Sequence, residues 1–133
     1  MPEPRIRCHA KDAQGVSPSG HYSHAVAAGG FVFVSGQLPI APGKAPDPSL
    51  SMREQTTLAL QNLARALAVA GAQPTDVVKV TAFLVNESDW DDFDAAYAAF
   101  FGAHRPARAA VPVGPLYDGL RLEVEAVAYV GGR

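Results

Sequence analysis

From residue 120 to residue 129, leucine and valine alternate with Arg121, Glu123 and Glu125, so the segment reads as a strand with one polar face. Residues 25–28, the pair Gly29-Gly30 and Phe31-Val32-Phe33-Val34 read as a glycine-closed hairpin that ends at Ser35-Gly36. Residues 5–10 supply a first strand, and residues 11–20, broken by Asp, Gly, Pro and Ser, an irregular loop. β-Branched residues are dense over 77–85, which predicts another strand, and 107–113 predicts one more after His104-Arg105-Pro106. A slower period runs through Leu60, Leu63, Leu67 and Ala70, whose three- and four-residue spacing places them on one face of a helix. Ser51 followed by Glu54 matches a capping box at its start, and Gly71 stops it. Phe93, Tyr97, Phe100 and Phe101 form the apolar side of a second helix to about residue 101, with Asn86–Asp89 offering capping side chains. Four prolines, at 39, 42, 46 and 48, keep residues 39–48 out of helix or central strand and predict an ordered surface loop. Strands, helix, strand, helix, strands is the order of an α+β layer fold with both helices on one face of a single sheet.

Composition bounds what such a fold does. At 133 residues, 48% of them hydrophobic, the chain fits one domain over 1–133, an N-terminal strand and loop to residue 20 and a core over 21–130. The net charge of −2 arises from interspersed acids and bases with no basic stripe, so nucleic acid is not the expected partner. A lone cysteine, Cys8, makes no internal disulfide and no thiolate zinc site, which suits a reducing compartment, and burial in the first strand is expected for it. The start Met-Pro-Glu-Pro-Arg lacks a signal peptide's apolar core, and no run approaches the roughly 20 apolar residues that cross a bilayer. The expectation is a soluble cytoplasmic protein with no membrane partner.

Candidate chemistry is sparse. Gly29-Gly30 matches neither nucleotide-binding glycine fingerprint. His21 and His24 have a spacing that ligates zinc on a helix, but here they fall in loop or strand without a third ligand, so no metal is expected. Ser35-Gly36-Gln37 lacks the flanking glycines of a nucleophile elbow. Two charges stand inside apolar strands: Arg108 within Pro-Ala-Arg-Ala-Ala-Val-Pro-Val, and Glu123 within Leu-Glu-Val-Glu-Ala-Val-Ala. A guanidinium there faces water or holds an anion. On pattern alone a structural ion pair with a glutamate is favoured, with Glu123 and Glu125, which share a face, both eligible.

The chain from Tyr22 to Ala128 resembles a known family. Its motifs are Tyr22-Ser23; Val-Phe-Val-Ser-Gly-Gln-Leu-Pro over 32–39; Glu54-Gln55-Thr56; Asp-Val-Val-Lys-Val-Thr-Ala-Phe-Leu over 76–84; Tyr-Ala-Ala-Phe-Phe over 97–101; Pro106-Ala107-Arg108; and Glu-Val-Glu-Ala-Val-Ala over 123–128. They are similar to those of the RidA deaminases that clear reactive enamine and imine intermediates, also called the YjgF or UK114 family and historically labelled endoribonucleases. The resemblance implies a chorismate-mutase-like α+β domain with one mixed sheet. It also implies homotrimers whose sheets form a central barrel with an active cleft at each subunit interface. Arg108 then holds the substrate carboxylate as a bidentate pair, in place of the structural ion pair with a glutamate. Glu123, with the backbone carbonyl of Ala110, directs a water; Tyr22 lines the cleft and Ser35 lies at its floor. The implied reaction converts a 2-aminoacrylate-type enamine, through its imine, into a 2-keto acid and ammonia without metal or cofactor.

Departures from the family pattern fall around that cleft: His21 and His24 beside Tyr22-Ser23, Asp94 where Asn is common, and Tyr117 in place of a frequent Pro. Asp94 and Tyr117 therefore join the substrate-binding candidates, and a larger imino acid or a ring-cleavage enamine such as an aminomuconate becomes the alternative to a three-carbon substrate. The competing functional reading is a non-catalytic carboxylate-binding or chaperone-like module that uses the same pocket. RNA cleavage, the historical label, has no electrostatic footprint here.

Overall fold

The computed structural model describes residues 5–131, so the residues from which the lack of a leader was read and the two at the C-terminus lie largely outside it. Six strands form one sheet: β1 (Ile6–His9), β2 (Ala25–Ala28), β3 (Phe31–Gln37), β4 (Val77–Leu84), β5 (Ala107–Pro112) and β6 (Leu122–Tyr129), in the spatial order β1-β2-β3-β6-β4-β5. All neighbours are antiparallel except β4 and β5, which are parallel and joined by the second helix. The sheet is therefore mixed, and the last strand in the chain lies near its middle, hydrogen-bonded to both β3 and β4.

Helix α1 (Met52–Val69) begins as its capping box predicts: Glu54 N–H donates to Ser51 Oγ at 3.1 Å, and Ser51 N–H donates to Glu54 Oε1 at 3.0 Å. Its leucines Leu60, Leu63 and Leu67 are fully buried, and the small Ala59 and Ala66 beside them, equally buried, let its backbone approach the sheet. Helix α2 (Trp90–Phe101) packs Phe93, Tyr97 and Phe101 into the same core. Against them lie Val32 and Val34 of β3, Val80, Ala82 and Leu84 of β4, and Leu122, Val124, Ala126 and Ala128 of β6, the alternate residues of each strand. The fold is thus the α+β single domain expected, with its helices on one face.

Several local expectations are corrected. Strand β3 does not end at Ser35-Gly36; it runs to Gln37 through a bulge, since Val34 pairs with Ala126 and Gln37 with Val124, three residues on one strand against two on the other. Asp89 makes no side-chain cap on α2; Arg121 Nε donates to it at 3.0 Å instead, after the 3-10 turn Glu87–Asp89. Strand β6 starts at Leu122 because the 3-10 turn Tyr117–Gly119 precedes it, with Asp118 at φ 56°. Cys8 is exposed, because β1 is an edge strand whose residues lie outside the core on both faces. Residues 39–48 contain neither helix nor strand, as predicted, and Asn62 Nδ2 holds the loop's start by donating to the carbonyls of Leu38 and Ile40.

Candidate functional site

Glu123 sits on β6 opposite Phe83 of β4, on the sheet face that the helices leave open. Across on β3 the bulge brings Gly36 so close that a Cβ there would fall 2.9 Å from the Glu123 Cδ, so any larger residue would push the carboxyl aside. Seated on that backbone, the carboxyl is partly buried and makes no ion pair among the described residues. Burial, then repulsion from Glu125, push its pKa above the ordinary 4.5. Glu123 lines a cavity of about 660 Å³ together with Tyr22, Ser35, Gly36 and Phe83. Ser35 is tied into the floor: its Oγ donates to the Ser23 carbonyl at 2.6 Å.

Arg108 lies elsewhere. It pairs with Val80 of β4, three residues from Phe83, so its side chain leaves the opposite face of the sheet, beneath α2. There the guanidinium carbon stands 5.0 Å from the Trp90 ring centroid, 5.2 Å from Phe93 and 4.6 Å from Tyr97. Nη1 donates to Asp94 Oδ1 at 2.9 Å. The ion pair that pattern alone favoured therefore exists, but its acid is Asp94 on α2, while Glu123 and Glu125 face away. A second cavity of about 500 Å³ is lined by Arg108, Asp94, Tyr97, His104 and Arg105. Burial, opposed by Arg108 and reinforced by Asp94, pushes the Tyr97 phenol up to about 12, so it stays protonated.

The remaining candidates divide between these places. Ala110 is on β5, the outer strand of the sheet. Val113 N–H donates to the Leu84 carbonyl, and in a parallel ladder alternate residues point to opposite sides, so the Ala110 N–H and carbonyl face the free edge. Tyr117 is at the tip of its turn, 62% exposed, and lines neither cavity. One chain thus brings Tyr22, Ser35 and Glu123 together, Arg108 and Asp94 together, and keeps the two groups apart. No group of three or more His, Cys, Asp or Glu among the described residues is arranged to hold a metal ion.

Residue pattern did not disclose the part played by Gly36, the aromatic rings under Arg108, or the contacts of His24 with Tyr22 and Gln37. Trp90, four residues before Asp94 on an aromatic helix face, is the one that spacing could have found.

The family profile described as Endoribonuclease L-PSP matches residues 13–130. A RutC family protein of Pyrococcus horikoshii is 39% identical over 112 residues, covering 84% of this chain and 89% of that protein. Human 2-iminobutanoate/2-iminopropanoate deaminase is 35% identical over 126 residues, covering 95% and 92%. Among solved structures, yeast Mmf1 superposes with a TM-score of 0.85 at 32% identity over 93% of this chain and 98% of its own. Escherichia coli TdcF with bound serine gives 0.78 at 30% identity over 96% and 98%.

Proposed function

Since this chain belongs to the Endoribonuclease L-PSP family, the YjgF or UK114 group that includes reactive-intermediate deaminases, we propose that it hydrolyses the C=N bond of 2-imino acids to 2-keto acids and ammonia. The observation that carries this reading is Glu123: a partly buried carboxyl without a paired cation among the described residues, seated on glycine backbone in a cavity with room for a small substrate. Such a group takes a proton from water and returns it within one catalytic cycle.

In the proposed reaction an enamine first tautomerises to its imine. Glu123 removes a proton from a water held by its carboxylate and the Ala110 carbonyl. The water oxygen bonds to the imine carbon as the C=N π pair moves to nitrogen, which takes from Glu123 the proton just removed from water and gives a neutral carbinolamine. Glu123 then carries the carbinolamine hydroxyl proton to the same nitrogen, and as the oxygen's electron pair forms the carbonyl the C–N bond breaks and ammonia leaves. Arg108 holds the substrate carboxylate through the part of its fork that Asp94 does not occupy. Imine hydrolysis is intrinsically fast, so orientation and proton transfer are sufficient, without a cofactor.

Arg108 and Glu123 of one chain leave opposite faces of the sheet, so the proposed site joins Arg108 of one copy to Glu123 of its neighbour. A homotrimer with interfacial clefts is supported by the open face of the sheet, where Ile6, Phe31, Phe33, Val111 and Tyr129 are each 39–58% exposed. Apolar area of this kind in a water-facing sheet calls for a cover. A cavity of about 660 Å³ leaves room beyond a three-carbon imino acid, in keeping with a larger substrate.

The test is ammonia and keto-acid release from enzymatically generated imino acids of increasing side-chain size. Wild type should accelerate hydrolysis, and Arg108→Ala and Glu123→Ala should each lose about 10²–10⁴-fold with assembly intact. Carboxylate binding without any turnover would overturn the enzymatic reading and leave a ligand-binding module.

A further inference from the structure

His24 is a buried titratable side chain that the proposed reaction does not use. It stands just before β2, 8% exposed, on the wall of the Glu123 cavity, with the Tyr22 ring edge-on to it at 5.9 Å and 85°. Its backbone is fixed on both sides: His24 N–H donates to the Ala10 carbonyl at 3.2 Å, and Ser35 N–H donates to the His24 carbonyl at 3.0 Å. Its ring Nδ1 lies 3.1 Å from Gln37 Nε2, and the same amide nitrogen lies 3.1 Å from the Ser35 carbonyl oxygen.

These two distances assign the protons. The Ser35 carbonyl only accepts, so the Gln37 atom facing it is the NH₂ group and not the amide oxygen. An NH₂ group only donates, so His24 Nδ1 accepts, and the neutral ring carries its proton on Nε2. The amide of Gln37 thereby spends both its hydrogens across the bulge of β3, one on the Ser35 carbonyl and one on His24. A bulge leaves backbone groups outside the ladder, and here the side chains of Ser35 and Gln37, anchored on Ser23 and His24, bind it from the β2 side. Gly36, the residue on which the Glu123 carboxyl rests, lies between those two anchors.

We infer that His24 is a positioning residue for Glu123: by accepting the Gln37 amide at Nδ1 it locks the β3 bulge, and the locked bulge fixes the Gly36 backbone against which the Glu123 carboxyl is held. The inference rests on the reading of Glu123 as the water-directing base. It adds a residue that touches neither substrate nor water and acts through two others. Without the acceptor at Nδ1 the Gln37 amide turns away, the bulge relaxes and water enters between Gly36 and Glu123. The carboxyl then loses part of the burial that holds its proton. The other titratable groups around it, Glu125 on the same strand, Tyr22 before β2, and Asp12, Lys44 and Arg65 across the cavity, stay in place.

The experiment is a carbon-detected NMR titration of the Glu123 carboxyl alongside kcat and KM, in wild type, His24→Ala, His24→Gln, Gln37→Ala and the double alanine variant. In wild type Glu123 should titrate above 4.5. His24→Ala should move it back toward that value and lower kcat by about 10- to 100-fold, the cost of a misplaced catalytic group, with KM little changed. His24→Gln, whose amide oxygen also accepts, should keep both wild-type values. Gln37→Ala should reproduce His24→Ala from the other end of the same hydrogen bond, and the double variant should be no worse than either single one. Wild-type titration and kcat in His24→Ala, losses that add in the double variant, or a His24→Gln as impaired as His24→Ala would each overturn the inference. Full turnover in Glu123→Gln would instead overturn the role of Glu123 itself, and the NMR titration separates the two failures because it does not depend on activity.

Discussion

A carboxyl half out of water keeps its proton to higher pH than a free one, and Glu123 does so chiefly through burial. Its folded pKa exceeds the unfolded value, so the native state binds the extra proton and ionisation works against folding. The loss of stability begins as pH rises past 4.5 and is complete above the folded pKa. Glu123→Gln should therefore unfold at higher temperature than wild type at about pH 8 and show little difference at about pH 4, while turning over no substrate; calorimetry at the two pH values checks it. Arg108 presents the opposite case, since its charge is already met by Asp94, whose side chain is 50% exposed. An exposed pair of this kind is worth about 0–1 kcal/mol, so Asp94→Asn should tighten binding of a 2-keto acid by at most about fivefold, read by titration calorimetry. Both residues were legible in the sequence because charge stands out in an apolar strand. Their surroundings were not, since the acid that pairs with Arg108 and the glycine that seats Glu123 depend on strand register and a bulge, which no period in the sequence records.

At the level of elements, α1 was readable to within a residue at each end, because cap, leucine spacing and stopping glycine agree. The entry to α2 was not, because Asp89 answers to Arg121, 32 residues on, rather than to the helix beside it. The same arginine donates to the Pro48 carbonyl, so one side chain ties the proline loop to the start of β6. A second tie holds the loop after β1. Burial alone would raise the Asp12 pKa, but N–H donors from Val16 and Gln14 and the Arg65 guanidinium outweigh it and pull it below 3.8. A depressed carboxyl contributes stability above its unfolded pKa and loses that contribution as pH falls through the folded one. On acidification below about pH 4, protection against hydrogen exchange at the Gln14 and Val16 amides, which bond Asp12 Oδ1 at 2.9 and 3.0 Å, should fall before protection in α1 does.

For the whole molecule, the open sheet face and the split site make one prediction together. If the chain forms a trimer in which Arg108 and Glu123 meet only across neighbouring copies, mixing Arg108→Ala chains with Glu123→Ala chains should restore one intact site in every mixed assembly, about a quarter of wild-type activity after random exchange at equal amounts. If both residues served one chain's site, the mixture would stay inactive. Phe33→Glu, in the middle of that face, should yield monomers by sedimentation.

The position of β6 bears on how the chain is made. Emerging from a ribosome, β1 to β3 can close as hairpins and β4, α2 and β5 as a crossover unit, but the two have no shared hydrogen-bonded edge until the strand between them has been synthesised. The two half-sheets therefore have no strand to join them until residues 122–129 have been made, and removing residues 122–131 should leave no smaller folded domain.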